Sequence, residues 1–243
     1  MAEVSERTGV LSGRVAVITG ASRGIGAAVA KRFAAEGAHV VLVARTSAGL
    51  EELDDAVRAL GGSATLVPLD LTDFDAIDRL GGALYERFKH LDILVGNAGL
   101  LGTLTPIAQV KPKEWQQVLD VNLTANWRLI RSLDPLLRAS DAGRAIFVTS
   151  GAARGPRAYW GTYAVSKAAL EMLVGIYAAE TAKTKVRVNL LDPGRVRTGM
   201  RAKAYPGENP ETLPHPDQIT DAFLALADAA CTKHGETVFA QVR

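Results

Sequence analysis

The sequence predicts an α/β fold in which a doubly wound, seven-stranded parallel sheet carries helices on both faces. Three observations predict this class. Apolar runs of strand length alternate with amphipathic segments of helix length. A glycine-rich turn joins the first apolar run to the first helix, and 243 residues suit one domain of this kind. Because helical crossovers return each strand to the same end of the sheet, the strands are expected to be parallel.

The elements follow in order from the distribution of apolar residues. Strands are predicted where a continuous apolar run would be buried on both faces of the sheet, at 14–19, 40–44, 64–69, 92–96, 145–149, 186–191 and 237–240. Helices are predicted between them, at 24–36, 47–60, 73–89, 113–137, 161–183 and 216–230. In the first helix, Ile25, Val29 and Phe33 recur every four residues on one face, and Gly37 follows its end.

The composition excludes several classes of protein. With 48% hydrophobic and 22% charged residues, the chain is neither disordered nor collagen-like. The 28 basic and 26 acidic residues leave a net charge of +2, so we expect no nucleic-acid partner. Residues 1–13 carry charges and no apolar run of signal-peptide length, and no 18-residue apolar stretch occurs, so we expect no membrane contact and a cytoplasmic location. The single cysteine excludes an internal disulfide, and the four histidines have no metal-ligand spacing, so no metal site is predicted.

The glycine-rich turn is the first functional signal. Thr19-Gly-Ala-Ser-Arg-Gly-Ile-Gly26 lies between the first strand and the first helix. A dinucleotide pyrophosphate in this position of a β-α-β unit would meet backbone N–H groups and the positive end of a helix dipole. Glycine lets the backbone approach the phosphates closely. The turn therefore predicts a Rossmann-type dinucleotide site, and a tight strand–helix turn without a ligand is the alternative.

The spacing of this turn and several later motifs resemble the short-chain dehydrogenase/reductase family over about residues 12–240. The turn resembles the family's cofactor turn, and the branch it resembles is that of the carbonyl reductases and 3-oxoacyl-carrier-protein reductases. The later motifs follow in the family's order: Asp70, Asn97-Ala-Gly99, Asn122, Ser150, Tyr163-x-x-x-Lys167 and Pro193-Gly194. The resemblance implies hydride transfer between a nicotinamide cofactor and a carbonyl or alcohol.

The end of the second strand indicates which cofactor is used. Val43-Ala44-Arg45-Thr46 has no acidic residue to accept hydrogen bonds from the adenosine ribose of NAD. Arg45 can instead donate to the 2′-phosphate of NADP, and Arg23 can reach the same group, as a basic residue does in NADP-preferring relatives. NADP(H) is therefore predicted and NAD is less favoured. The alternative is that both arginines are solvated surface residues.

Tyr163 and Lys167 are four residues apart on a predicted helix, so they project from one face. We expect the ammonium group to favour the phenolate and so lower the pKa of Tyr163, which would make the phenol a usable acid and base. By resemblance, Ser150 holds the substrate oxygen, with Thr149 a less favoured substitute. Asn122 is implied to fix a water that links Lys167 to solvent.

The resemblance also implies the cofactor contacts. Asp70 corresponds to an adenine contact, Asn97 and Gly99 to contacts beside the adenosine ribose, and Thr198 with the backbone of Val196 to contacts of the carboxamide. The predicted cofactor-binding set is Gly20, Ser22, Arg23, Gly24, Ile25, Gly26, Arg45, Asp70, Leu71, Asn97, Ala98, Gly99, Tyr163, Lys167, Pro193, Gly194, Val196 and Thr198.

Residues 1–243 are predicted to form a single dinucleotide-binding catalytic domain, because no linker or repeat interrupts the pattern. The segment 195–214, called the lid below, is rich in glycine, proline and charge and is predicted to cover the substrate. Its four basic residues could bind an acidic substrate group, although solvated side chains are the favoured interpretation: Arg195, Arg197, Arg201 and Lys203. Three residues near Tyr163 are candidate selectivity residues: Arg154, Arg157 and Trp160.

The predicted function is an NADP(H)-dependent oxidoreductase that interconverts a ketone or aldehyde with an alcohol, with Tyr163 as the proton donor or acceptor. Two alternatives stay open at this point. One is an NAD-dependent alcohol dehydrogenase of the same family, and the other is a non-catalytic dinucleotide-binding sensor. The substrate is expected to be a small molecule that the sequence does not identify. A homodimer formed through the two long helices, or a homotetramer, is expected.

Overall fold

A computed structural model describes residues 9–241; the first eight residues, which are part of the segment searched for a signal peptide, lie outside the described residues. Within this range seven parallel strands form one sheet in the order β3-β2-β1-β4-β5-β6-β7. The strands are β1 (Val15–Thr19), β2 (His39–Ala44), β3 (Ser63–Pro68), β4 (Ile93–Gly96), β5 (Arg144–Val148), β6 (Arg187–Asp192) and β7 (Thr237–Phe239). The predicted doubly wound parallel sheet is confirmed.

Helices connect the strands and cover both faces of the sheet. They are α1 (Gly24–Ala35), α2 (Ser47–Ala59), α3 (Phe74–Phe88), α4 (Pro112–Leu119), α5 (Ala125–Ala139), α6 (Gly161–Thr181), α7 (Gly199–Ala204) and α8 (Thr220–Ala227). Within residues 9–241, none of them is both long and apolar enough to cross a membrane. In the same range, no group of three or more His, Cys, Asp or Glu side chains is placed to hold a metal ion.

Alternate residues of the strands supply two cores, one on each face of the sheet. Val15 and Val17 of β1 belong to the core beneath α3, α5 and α6, whereas Ala16 and Ile18 belong to the core beneath α1, α2 and α8. All four side chains are nearly or fully buried. Because each strand is covered on both faces, its sequence is a continuous apolar run rather than an alternation of apolar and polar residues.

A buried carboxylate fixes the sheet at the end opposite to the motif residues. Asp92 immediately precedes β4 and is 4% exposed. Its Oδ2 accepts a hydrogen bond from the backbone N–H of Val15 at 2.8 Å, and its Oδ1 accepts one from Ser140 Oγ at 2.5 Å. Asp92 thus joins the start of β1 to the segment that leads into β5.

Two of the predicted helices differ from expectation. The long helix predicted at 113–137 contains a π-helical turn, Asp120–Thr124, between α4 and α5. The helix predicted at 216–230 is wrong at both ends, because a 3-10 turn spans Pro216–Ile219 and α8 stops at Ala227. The early stop has a tertiary cause: Asp228 leaves the helical conformation, and its carbonyl accepts a hydrogen bond from buried Arg144 Nε at 2.9 Å.

Candidate functional site

The glycine-rich turn after β1 has the backbone that a pyrophosphate requires. Gly20 and Gly24 have positive φ angles of 65° and 60°, a region that glycine adopts without strain. A Cβ on Gly26 would lie 2.3 Å from the carbonyl oxygen of Gly20, so only glycine allows α1 to pack this closely. Among the described residues no side chain caps α1, so its first-turn N–H groups are free to bind an anionic group.

The turn is held in place from β4. Asn97 Nδ2 donates to the carbonyl oxygen of Thr19 at 2.9 Å, and the Thr19 hydroxyl accepts hydrogen bonds from the N–H groups of Asn97 and Ala98 at 3.0 and 3.1 Å. The Asn97 side chain, predicted to lie beside the adenosine ribose, therefore supports the glycine turn. Thr19 is a positioning residue that the sequence analysis had quoted only as part of the motif.

Two exposed arginines follow neighbouring strands at the adenosine side. Arg23 precedes α1 and Arg45 follows β2, and β1 and β2 are adjacent in the sheet. The two turns are in contact, because a Cβ on Gly49 of α2 would lie 3.0 Å from Ser22 Cβ. No side chain caps α2 among the described residues, and Gly49 in its first turn lies against Ser22. The arrangement fits an additional phosphate on the adenosine ribose.

The predicted adenine contacts after β3 are only partly in position to bind a ligand. Asp70 lies two residues beyond β3, and its Oδ1 accepts hydrogen bonds from the N–H and the hydroxyl of Thr72, both at 2.9 Å. These bonds, the backbone one above all, lower the pKa of Asp70, and the charge of Arg45 acts in the same direction. The Leu71 side chain is buried in the core, so only its backbone can face a cofactor.

The candidate catalytic residues meet at the carboxyl end of β5. Ser150 follows the strand and begins the 3-10 turn Gly151–Arg154, and Tyr163 and Lys167 lie on the first turns of α6. Tyr163 is 8% exposed and Lys167 is 3% exposed. The Ser150 hydroxyl accepts a hydrogen bond from the Ala152 N–H at 3.2 Å and lies close enough to the Tyr163 phenol to act on its pKa. The structure therefore brings Tyr163, Lys167 and Ser150 together at this end of the sheet.

The expected lowering of the pKa of Tyr163 by Lys167 is wrong. Burial raises the pKa of Tyr163, the negative charge of Asp192 raises it further, and the hydrogen bond with Ser150 opposes both effects. Lys167 Nζ donates to the carbonyl oxygen of Val148 at 2.8 Å and lies 5.9 Å from the centroid of the Tyr163 ring. Burial also lowers the pKa of Lys167 to about 8, which weakens it as a source of positive charge.

Asn122 is fully buried in the π-helical turn, and this turn brings its side chain to the site. Its Nδ2 donates to the carbonyl oxygen of Leu100 and to Ser166 Oγ, both at 2.9 Å, and its Oδ1 accepts from the N–H of Leu100 at 2.7 Å. A Cβ on Gly99 would lie 3.4 Å from Asn122 Oδ1 and 3.7 Å from Lys167 Nζ. Both amide protons are thus in use, and a water beside Lys167 could donate only to Oδ1.

The turn after β6 is held by two side chains that the sequence analysis did not identify. Gly194 has a φ of 71°, and its N–H donates to Asp192 Oδ1 at 3.0 Å. Gln241 Nε2 donates to the carbonyl oxygens of Pro193 and Arg195 at 2.7 and 2.9 Å. Gln241 is 48 residues from Pro193 in the sequence, and Asp192 is a common residue type at the end of a strand. Neither residue belongs to a sequence motif that would identify it.

The lid begins against the glycine turn. A Cβ on Gly24 would lie 3.7 Å from Thr198 Cγ2, and the Thr198 hydroxyl accepts a hydrogen bond from the Arg201 N–H at the start of α7. Val196, the other predicted carboxamide contact, is 3% exposed, so only its backbone can reach a cofactor. Thr198 therefore joins the lid to the predicted pyrophosphate site.

A charged network lies behind the catalytic cluster, and its two carboxylates, Glu171 and Asp192, were not identified from the sequence. Glu171 follows Lys167 by one helical turn, and its Oε1 accepts from Thr149 Oγ1 at 2.7 Å and from Arg154 Nη1 at 2.9 Å. Arg154 also pairs with Asp192. The Thr149 hydroxyl is thereby directed to Glu171, which leaves Ser150 as the hydroxyl beside Tyr163.

Comparison with known proteins adds to this geometry. The family model for short chain dehydrogenases matches residues 14–209. The uncharacterized oxidoreductase YciK of Escherichia coli K12 is 36% identical over 236 residues, which cover 96% of this chain and 93% of that protein. A solved structure from Pseudomonas syringae has a TM-score of 0.93 at 39% identity and covers 99% of this chain and all of that one. A Shigella flexneri structure complexed with NADP has a TM-score of 0.93 at 36% identity and covers 97% of this chain and all of that one.

Proposed function

Because the chain belongs to the short chain dehydrogenase family and is therefore an NAD(P)-dependent oxidoreductase, we propose that it reduces a ketone or aldehyde with NADPH and that Tyr163 is its proton donor. The observation that carries the proposal is the burial of the Tyr163 phenol beside Ser150 and Lys167 at the carboxyl edge of the sheet. Ligands of doubly wound folds bind at that edge.

The residues of the site fit a reduction. NADPH, when bound, supplies the hydride that reaches the carbonyl carbon. Tyr163 gives its hydroxyl proton to the carbonyl oxygen, so the product is an alcohol. Because burial raises the pKa of Tyr163, the phenol keeps its proton near neutral pH and can act as the donor. Ser150 donates a hydrogen bond to the same oxygen and so orients the carbonyl group.

Lys167 has a supporting role in this proposal. Its ammonium group holds the carbonyl of Val148, the last residue of β5, and thereby fixes α6 against the strand that carries Ser150. Since burial lowers the pKa of Lys167 to about 8, the group can exchange protons near physiological pH. A water held at Asn122 Oδ1 would connect Lys167 with solvent and return a proton to Tyr163 after each turnover.

We infer NADPH rather than NADH as the reductant from the adenosine side of the site. Arg23 and Arg45 are both exposed, and either guanidinium can donate two hydrogen bonds to a phosphate. The similar Shigella flexneri structure is complexed with NADP, which supports this assignment. The first-turn N–H groups of α1 would hold the pyrophosphate, and Thr198 at the lid would lie beside it.

The proposal is tested by following NADPH absorbance at 340 nm with a panel of ketones and aldehydes. Tyr163→Phe is expected to abolish turnover, whereas Tyr85→Phe, an exposed tyrosine of α3, is expected to retain it. Turnover that survives in Tyr163→Phe would refute the assigned proton donor. If the wild-type chain binds NADPH and reduces no compound of the panel, a non-catalytic sensor is the better description.

The cofactor assignment has its own test. Arg45→Asp is expected to lower the preference for NADPH over NADH by roughly ten- to a hundredfold, because a charged hydrogen bond of about 1.5–3 kcal/mol is lost. Arg87→Asp, on the exposed side of α3, serves as the charge-matched control. An unchanged ratio of kcat/KM for the two cofactors in Arg45→Asp would contradict the assignment.

We further infer that the chain acts as a single catalytic domain covered by the lid and that it forms a homo-oligomer through α5 and α6. Val165, Met172 and Ile176 lie along one face of α6 and are 45%, 67% and 51% exposed. Trp127 on α5 is 45% exposed. Light scattering is expected to give at least a dimer, and Met172→Lys is expected to yield a monomer. A monomeric wild-type chain would refute this arrangement.

A further inference from the structure

An aromatic wall adjoins the proposed proton donor. The Trp160 ring lies 6.0 Å from the Tyr163 ring at an interplanar angle of 66°, and the Tyr205 ring of the lid lies 5.7 Å from Trp160. Trp160 and Tyr205 are each half-buried, so part of each side chain is accessible to a bound molecule. These spacings are those at which aromatic rings attract one another beyond simple burial. A planar ring of a bound molecule would find the same attraction here.

The position of Tyr205 is fixed by charged groups of the lid itself. The Arg201 guanidinium stacks 3.7 Å from the Tyr205 ring centroid and makes two hydrogen bonds to the carboxylate of Glu208, at 2.5 and 2.6 Å. This two-point pairing holds a planar guanidinium in one orientation. Tyr205 is therefore a preformed part of the wall.

The rim of the cleft is also apolar. Tyr159 and Ile107 are each 59% exposed, and the two segments that carry them are joined by a hydrogen bond from the Thr105 N–H to the Tyr159 carbonyl oxygen at 3.1 Å. Tyr159 has a φ of 73°, an uncommon conformation for a residue with a bulky side chain. Tyr159, which precedes Trp160, thus leaves most of its side chain in solvent, where contact with a flat apolar molecule would bury it.

Two of the four basic residues of the lid are paired with carboxylates of the lid itself. Arg201 is paired with Glu208, Arg197 with Glu211 at 2.8 Å, and Arg195 acts on Glu208 as well. For Arg197 and Arg201 the earlier option of recognising a substrate carboxylate or phosphate is therefore weakened, whereas Arg195 and Lys203 are exposed. Next to Tyr163 the surface is aromatic, and the exposed Arg157 guanidinium lies 5.9 Å from the Trp160 ring centroid.

We propose that the preferred substrates are carbonyl compounds that carry a flat aromatic ring, and that Trp160 and Tyr205 bind this ring while the carbonyl oxygen faces Tyr163 and Ser150. The inference rests on the proposed function, because it names the substrate class of the same site. Trp160 and Tyr205 are specificity residues in it and take no part in proton or hydride transfer.

The experiment compares 4-phenylbutan-2-one with 4-cyclohexylbutan-2-one, two ketones whose carbonyl groups are equally reactive and whose rings differ in flatness. Steady-state kcat/KM with NADPH is expected to favour the phenyl ketone by about tenfold in the wild-type chain. Trp160→Ala and Tyr205→Ala are expected to reduce this preference to below about threefold, and Trp160→Phe is expected to preserve most of it. Tyr85→Ala serves as the control for loss of an exposed aromatic side chain.

Calorimetric binding of both ketones to the enzyme loaded with NADP⁺ provides a readout without turnover. The phenyl ketone is expected to bind about tenfold more tightly, and Trp160→Ala to remove the difference. Equal binding of the two ketones, or equal weakening of both in Trp160→Ala, overturns the inference. A binding preference without any reduction by NADPH would refute the proposed reaction and leave the aromatic site standing, so the two failures are distinguishable. Thermal melting of each variant verifies that it is folded.

Discussion

Replacing Lys167 by Met tests whether this lysine is buried at a free-energy cost in the folded protein. Lys167 is 3% exposed, and burial lowers its pKa from 10.5 to about 8, with the charge of Glu171 opposing this change. Below pH 8 the folded chain must hold a desolvated ammonium group. The structure offers that group one carbonyl acceptor, Val148 at 2.8 Å, and the carboxylate of Glu171 one helical turn away.

The magnitude follows from proton linkage. The pKa of Lys167 is lower in the folded chain, so the unfolded chain binds more protons between pH 8 and pH 10.5, and stability rises with pH across that window. One pKa unit corresponds to about 1.36 kcal/mol. Between pH 7 and pH 9.5, the free energy of unfolding of the wild-type chain is therefore expected to rise by about 2 kcal/mol relative to Lys167→Met.

Urea denaturation of both chains at pH 7 and pH 9.5, without added cofactor, measures this difference. Subtracting the Lys167→Met data removes the contribution of other titrating groups common to both chains. Lys167→Arg serves as the control that keeps a charge at every pH, and it is expected to follow the pH dependence of Lys167→Met. If wild type and Lys167→Met change equally between the two pH values, Lys167 titrates as an exposed lysine and the reasoning is refuted.

Three further predictions concern single contacts. Glu171→Gln removes the charge that raises the pKa of Lys167. The rise of stability with pH is therefore expected to begin at a lower pH in the variant than in the wild-type chain in urea titrations, and an unshifted profile would contradict this. Gly26→Ala brings a Cβ to 2.3 Å from the Gly20 oxygen, so the free energy of unfolding is expected to fall by about 1–3 kcal/mol. NADPH binding, followed by fluorescence titration, is expected to be lost. Gly82→Ala, where a Cβ meets nothing within 4 Å, is its control, and equal effects would count against the argument. Asp92→Asn leaves one side-chain oxygen to accept from both the Val15 N–H and the Ser140 hydroxyl, so the free energy of unfolding is expected to fall by about 1–3 kcal/mol in urea denaturation. An unchanged midpoint would show that the buried carboxylate is dispensable.

The arrangement of strands could be predicted because it depends on patterns that are local in the sequence. Strand β2 was predicted at 40–44 and spans His39–Ala44, since a strand covered on both faces must be apolar throughout. The π-helical turn at Asn122 could not be predicted in the same way. Asn122 stands out in the sequence as a polar residue within a predicted helix. Its partners in the π-helical turn, Leu100 and Ser166, lie in distant parts of the chain, so no local pattern predicts the turn.

Electrostatic properties of the site were the least predictable. The helical spacing of Tyr163 and Lys167 suggested that the ammonium group would lower the pKa of the phenol. In the structure the pKa of Tyr163 is raised instead, because the phenol is buried and the Lys167 ammonium group is directed to the Val148 carbonyl. Likewise, the arginines of the lid counted as free charge in the sequence, whereas Arg197 and Arg201 are paired with carboxylates of the lid itself.

The sequence alone determined the fold, the glycine turn and the identity of the residues at the carboxyl edge of the sheet. Each of these depends on residue type and on spacing along the chain, and parallel strands bring their carboxyl ends to one edge. The tertiary structure alone decided what those residues experience: the desolvation of Tyr163 and Lys167, the partners of Glu171, and the contact of Tyr205 with Trp160. Burial and pairing between distant segments set pKa values and ligand preference, and neither is encoded by local spacing.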